Sequence, residues 1–444
     1  MPVATAPVEN GAVLVGADGR IAAAGPDAEV QRPPEAEELD LGASILLPGL
    51  VNVHAHLELT ALRGLVRVRP FPSWVMTIRR IKDTLSPGDF RASSRWGALE
   101  CLAGGITCVG DTGSSLEPAR ALDAFGLRGV AFHEVFGPDP AACAEAVRGL
   151  EEALEALAPC ESERVAVGMS PHAPYTISEP LLRALGERAL AQERPVAMHL
   201  AESPEEQAFV RSGTGAFAEA WRKRGIVVRA RGTSPIRWAL QSGLGPTAPL
   251  CIHCVHADAA DRRELARCHA SVAHCPWANA ALGVGPADLA AMRQEGLAVG
   301  LGTDSVAAGR ALDLFTDARL AASAADLAPR EVVRLLTVEG AAALGVEDVG
   351  ELVPGAWADL VALATDRPAL AGIADPEAAI ALQASAADVM ATWVAGVRRY
   401  DRGRWPGVDA AAERAAVEVA ARRARAGAAA AAQRPTARPV PEPS

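Results

Sequence analysis

Eight short apolar runs, each closed by turn residues, recur through the middle of the chain at 50–54, 106–110, 129–134, 165–169, 195–200, 249–254, 270–274 and 297–302. Between them lie stretches with helical patterning, such as 90–104, 141–157 and 180–194. Near-continuous apolar strands separated by helices pair in parallel and are covered on both faces. Eight strand–helix units predict an α/β fold, a (β/α)8 TIM barrel. A doubly wound open sheet is the competing arrangement, but no glycine-rich phosphate loop follows the first run. With 444 residues, 50% of them hydrophobic, the chain can bury such a core.

Both flanks read differently. Residues 11–24 carry two short apolar segments around Asp18-Gly19, a hairpin signal. Strand-like material returns at 350–363 and 389–403. The expectation is a small composite β-sandwich domain drawn from both ends (1–47 and 348–405) around a barrel at 48–347. Residues 406–444 should form a helix to about Arg425 and then a disordered tail rich in Ala and Pro.

Composition narrows the partners. A net charge of −11 argues against a nucleic-acid surface. No run of about 18 apolar residues offers a membrane span, and the N-terminus lacks a basic segment followed by an apolar one. Eight scattered cysteines in a chain of this size suit a reducing, cytoplasmic setting. A homodimer is the base-rate expectation.

The nine histidines are unevenly placed. His54, His133, His199, His253 and His274 fall at or near the C-terminal ends of expected strands, and His56 and His172 lie just beyond two more. That rim is where catalytic groups of a barrel converge. His54 and His56 have period-2 spacing, so both imidazoles leave the same side of an extended segment. Asp304 follows an apolar run, where a carboxylate is costly unless paired or bound to a cation. His54, His56, His199 and Asp304 therefore make a set for one divalent metal with room for a water. Glu202 suits a group poised over a substrate, or an ordinary carboxylate at the start of a helix. The Cys251–Cys254 pair resembles half a structural zinc site, but strand alternation splits it and no second such pair exists. His253 is read as a proton relay, with His256 turned away.

Taken in order, PGLVNVHAHLELTALRG (48–64), SPHAPYTIS (170–178), MHLAESPEE (198–206), IHCVH (252–256), AHCPWANAALG (273–283) and GLGTDS (300–305) resemble the amidohydrolase superfamily. The likeness is to its deaminase and chlorohydrolase branch and spans roughly residues 8–405. It implies one divalent metal, zinc or alternatively iron, on His54, His56, His199 and Asp304. Glu202 would be the proton shuttle, His253 would polarise or deprotonate the metal's water, and His172 would touch the substrate ring or leaving group. Branches with two metals bridge them by a carboxylated lysine at a strand end; Lys82 and Lys223, the only lysines, lie at no expected strand end. The implied reaction is attack of water on an amino-bearing ring carbon, with release of ammonia.

The small-molecule substrate is less constrained. Residues 69–83 belong to a long first loop and helix that lines the pocket in this branch; Trp74, Arg79 (or Arg80) and Asp83 are the candidate contacts, for a carboxylate and for ribose hydroxyls. The competing reading of this stretch is a solvated helix anchored by Trp74. The HLEL and SPIRWAL segments, with HCVH, are most similar to deaminases of aminodeoxyfutalosine, an adenosine-like precursor in menaquinone biosynthesis. Alternatives are deaminases of S-adenosylhomocysteine, methylthioadenosine or guanine, a triazine chlorohydrolase, and a ligand-binding barrel without turnover. Trp277 stands where many relatives have a small or basic residue.

Overall fold

The computed structural model describes residues 1, 3, 5–66, 69–308 and 310–433. Fourteen strands are described in chain order. The first three are β1 (Gly11–Val15), β2 (Ile21–Pro26) and β3 (Ser44–Pro48). The barrel set follows as β4 (Leu50–Ala55), β5 (Ile106–Gly113), β6 (Arg128–Val135), β7 (Val165–Pro171), β8 (Ala197–Leu200), β9 (Leu250–His253), β10 (Ser271–His274) and β11 (Ala298–Leu301). The last three are β12 (Leu360–Ala364), β13 (Val389–Val394) and β14 (Val397–Asp401).

All eight apolar runs are strands, paired in parallel as β4-β5-β6-β7 and β8-β9-β10-β11. Parallel bridges Met169↔Val196 and Ala55↔Asp304 join the two halves into a ring. Most of the strand residues are buried, because helices such as Pro87–Ala103, Cys143–Leu157 and Glu179–Ala191 cover the outside. The last strand must approach the first closely. A Cβ at Gly302 would lie 2.8 Å from the His54 Cβ and 2.9 Å from the Cys275 Sγ, so only glycine lets the chain pass there. Asn52 ties the same seam: its Nδ2 donates to Thr303 Oγ1 at 2.8 Å, and its Oδ1 accepts from the Thr303 N–H at 3.1 Å.

Outside the barrel, both ends of the chain share an antiparallel sheet in the order β14-β13-β12-β3. The β1–β2 hairpin, turned at Asp18-Gly19, docks on the strand-free segment before β12 through the Arg20↔Trp357 bridge. A buried ion pair links sheet and barrel: the Arg128 Nε donates to Asp359 Oδ2 at 2.8 Å, and the Ala395 N–H donates to the same carboxylate.

The final helix runs from Ala410 to Gln433. It continues beyond Arg425 through the alanine run, which has the strongest helix propensity of any residue. The rest of the expected tail, 434–444, lies outside the described residues. This helix buries Val417, Ala420 and Ala424 against the helices Phe71–Lys82 and Pro87–Ala103. Ion pairs Arg95–Glu413 and Arg423–Asp89 fix it there.

Candidate active site

The C-terminal ends of the barrel strands bring four of the expected side chains to one point. His54 is the penultimate residue of β4 and His56 follows the strand; their rings stand 4.8 Å apart. His199, on β8, brings its ring to 5.0 Å from His54 and 5.4 Å from His56. The ring nitrogens of these three lie within 4.8 Å of one another. Asp304 places its Oδ1 3.4 Å from the Nε2 of both His54 and His56. His253 joins His54 and Asp304 in an overlapping group with the same spacing.

The neighbours of these rings decide which nitrogens are free. The Nδ1 of His56 meets the Thr112 carbonyl at 2.6 Å, that of His199 the His172 carbonyl at 3.0 Å, and that of His253 the Asn279 Oδ1 at 2.9 Å. An oxygen acceptor at Nδ1 holds the proton there and leaves the Nε2 lone pair for another partner. Both nitrogens of His54 are buried without a hydrogen-bond partner. Burial pushes His54 well below the usual histidine range and His56 and His253 to about 3, so the imidazoles are neutral. A buried orphan imidazole among neutral neighbours, facing one carboxylate, is a donor set that fits a divalent cation.

Several strained backbone positions fall here. Asp304, His253 and Ala201 have φ of 56°, 70° and 52°, the left-handed region that side chains disfavour. Asp304 is held there by its N–H on the His54 carbonyl (3.0 Å) and by the Ser305 N–H on its Oδ1 (2.6 Å).

Glu202 is buried, with Oε1 3.6 Å from the His253 Nε2. Burial, reinforced by the neighbouring Asp304 and Glu206 carboxyl groups, pushes its carboxyl well above the usual range. Its position is set from below: Glu206 accepts the N–H groups of Ala201 (2.7 Å) and Glu202 (2.9 Å). Glu202 thus precedes the helix Pro204–Ser212, capped by Ser203, and faces the site. His172 reaches the same place from beyond β7, its ring 5.0 Å from His199 and its Nδ1 2.8 Å from the Thr176 hydroxyl.

The first-loop helix Phe71–Lys82 is less obliging. Trp74 is half-buried and stacks on Phe71 at 6.2 Å, in a cluster that includes Ala173 and Tyr175 next to His172. Arg79 and Asp83 are not brought to the site. They are 65% and 58% exposed and pair with each other at 2.9 Å. The cation that turns inward is Lys82, whose Nζ donates to Glu58 Oε1 at 2.5 Å and to Ser114 at 2.8 Å. Ile78 and Ile81 are buried, so Lys82 shares their face and Arg79 does not. That apolar spacing was the available signal. Glu134, near the end of β6, was also missed; it is buried 3.9 Å from the His172 Nε2. His256, His133 and His274 belong to none of the converging groups among the described residues. Nor does any cysteine, and all eight thiols are free. Trp277 is half-buried under the Arg310 guanidinium at 4.7 Å.

Against known proteins, the model of the amidohydrolase family matches residues 45–399. The chain belongs to the amidohydrolase family. It is a hydrolase acting on C–N bonds. A 5-methylthioadenosine/S-adenosylhomocysteine deaminase of Symbiobacterium thermophilum is 33% identical to this amidohydrolase over 409 residues, covering 88% of this chain and 89% of the relative. An adenosine deaminase from Xanthomonas campestris, solved with bound zinc, superposes with a TM-score of 0.82 at 24% identity, covering 96% of this chain and 97% of that one. Helicobacter pylori aminofutalosine deaminase, in complex with methylthio-coformycin, superposes at 0.75 with 20% identity, over 88% of this chain and 95% of that one.

Proposed function

We propose that this amidohydrolase is a zinc-dependent hydrolytic deaminase of 6-aminopurine nucleosides, working in the cytoplasm. The observation that carries the reading is the convergence, at one end of the barrel, of the three-imidazole, one-carboxylate donor set with a buried Glu202 3.6 Å from the His253 Nε2. Methylthioadenosine and S-adenosylhomocysteine come first as substrates, on the strength of the relative from Symbiobacterium thermophilum. Aminodeoxyfutalosine remains a candidate, although Arg79 faces solvent and Arg237 of the SPIRWAL segment is engaged by Asp258 and Asp261.

His54, His56, His199 and Asp304 would hold the cation. A bound zinc ion supplies Lewis acidity and lowers the pKa of a water ligand. The protein supplies the rest. The His253 Nε2 is unprotonated and oriented by Asn279, so it accepts a hydrogen bond from the attacking water. Asp304 takes up the water's proton on its carboxylate. Glu202, kept protonated by burial, donates to the ring nitrogen next to the reacting carbon; its carboxylate then takes the remaining proton of the added hydroxyl and passes it to the departing amine, and the proton held by Asp304 returns to Glu202. His172, tethered to Thr176, hydrogen-bonds the far edge of the ring through its Nε2.

Ammonia release from adenosine, methylthioadenosine, S-adenosylhomocysteine, aminodeoxyfutalosine, guanine and a chlorotriazine, with zinc-loaded protein, tests the assignment. Turnover of at least one adenine nucleoside is expected. Silence on all of them, or a preference for the chlorotriazine, would overturn it.

A further inference from the structure

Two carboxylates compete for one ammonium beside the metal-type cluster, and one of them loses. Glu58 holds Lys82 at 2.5 Å and also accepts from the Ser114 hydroxyl (3.1 Å) and the Ser115 N–H (2.8 Å). Glu134 is 94% buried by its 6% exposure, and its Oε1 has no hydrogen-bond partner. The nearest imidazole nitrogen is the His172 Nε2, at 3.9 Å, beyond hydrogen-bonding distance. A buried acceptor left without a donor is costly, and is retained where a ligand completes it.

The surroundings say on which side the ligand stands. Around the rim, Glu134 (β6) and Glu202 (after β8) flank His172 from opposite sides. Glu202 is committed to His253, where the reacting carbon belongs. A flat base lying over His172 therefore extends its other end toward β6. There Phe136, two residues beyond Glu134 and 36% exposed, packs against the His172 ring at 4.7 Å, tilted by 30°. An oxygen of Glu134 lies within 4.8 Å of ring nitrogens of both His172 and His199. A second cation does not fit that triangle, because the His199 Nδ1 is engaged by the His172 carbonyl and its Nε2 belongs to the first set.

We propose that Glu134 is a specificity-determining residue that accepts hydrogen bonds from the sugar hydroxyls of the nucleoside, the two carboxylate oxygens matching a vicinal diol. This rests on the deaminase reading above only for the kind of substrate. Lys82 fills the opposite role: held by Glu58 and Ser114, it balances the local charge without hydrogen-bonding Glu134, whose Oε1 stays open to the ligand.

The test compares adenosine with 2′,3′-dideoxyadenosine on full-length, zinc-loaded wild type, Glu134→Gln and Glu134→Ala, by calorimetric binding and by steady-state kinetics. A hydrogen bond to a charged group is worth roughly tenfold or more in affinity. Wild type should therefore prefer the ribonucleoside by about that factor. The preference should shrink in the Gln variant, which keeps one acceptor oxygen, and vanish in the Ala variant. The change should fall on KM rather than kcat, a pattern that a general loss of structure would not give. A preference that survives both substitutions, or a loss shared equally by the two nucleosides, would overturn the proposal. So would a second equivalent of zinc bound by wild type and lost in the variants. If wild type discriminates through Glu134 but releases no ammonia, the deaminase reading fails alone; if it binds neither nucleoside, both fail.

Discussion

At the scale of single residues, the site is a study in what burial does to donors. His56, His199 and His253 each present a free Nε2 because an oxygen acceptor holds the proton at Nδ1. Glu202 differs from them in having no tie to the cation set, so its removal should separate binding from turnover. Glu202→Gln is expected to retain zinc and substrate affinity while kcat falls by roughly 10²–10⁴-fold, the usual weight of a general acid–base group; metal analysis and steady-state kinetics check this. Retained turnover would move the proton-transfer role elsewhere. The candidate ligands were legible because His54 and His199 stand near the ends of apolar strands and Asp304 just beyond one, where a polar side chain needs a reason to be. Glu134 was not, because its strand reads GVAFHEV and is apolar on both faces, so alternation cannot say whether His133 or Glu134 points to the cluster.

At the scale of elements, the helix Phe71–Lys82 joins the site to its surroundings. Its buried face carries Ile78, Ile81 and Lys82, while Arg79 and Asp83 form an exposed pair. The presence of a first-loop helix was readable; its rotation was not fixed by charge, since three cations stand within four residues. Glu58 feels burial, which raises its pKa, but the adjacent Lys82 outweighs that and brings it down to about 2. The unfolded chain has the ordinary value, so this carboxylate's stabilisation is fully present above about pH 4.5 and fades as pH falls through about 2. Lys82→Met leaves Glu58 buried without a counter-charge, a change that typically costs about 3–5 kcal/mol. Its raised pKa then makes the penalty grow as pH rises above the ordinary carboxylate value. Thermal unfolding should show a larger gap between wild type and the variant at pH 8 than at pH 5. An equal gap at both would mean that Glu58 does not depend on Lys82.

At the scale of the whole molecule, two attachments hold the periphery to the barrel. The C-terminal helix Ala410–Gln433 backs the first-loop helix through Val417, Ala420 and Ala424. Truncation after Val408 should leave the zinc set intact but raise KM several-fold, because the helix bearing Trp74 and Lys82 loses its support; unchanged kinetics would make the C-terminal helix an appendage. The Arg128–Asp359 pair is buried, with the Arg128 guanidinium 4.6 Å over Trp357. Asp359→Ala is expected to destabilise by about 3–5 kcal/mol, and the double variant Arg128→Met/Asp359→Leu by much less, since no lone charge remains; denaturant titrations of both check it. The barrel was legible from eight evenly bounded apolar runs, and the extra sheet from strand-like segments at both ends. Its pairing order, β14-β13-β12-β3, was not, because antiparallel partners far apart in sequence leave no periodic trace.

The central claim is that His54, His56, His199 and Asp304 hold a single catalytic cation. X-ray absorption at the zinc edge on protein reconstituted after chelation, read alongside ammonia release, measures it most directly. The account expects one equivalent of zinc in a shell of three imidazole nitrogens and oxygen, with activity absent in the chelated protein and restored in proportion to the zinc bound. Full turnover in metal-free protein, or a sulfur-containing shell, would contradict it.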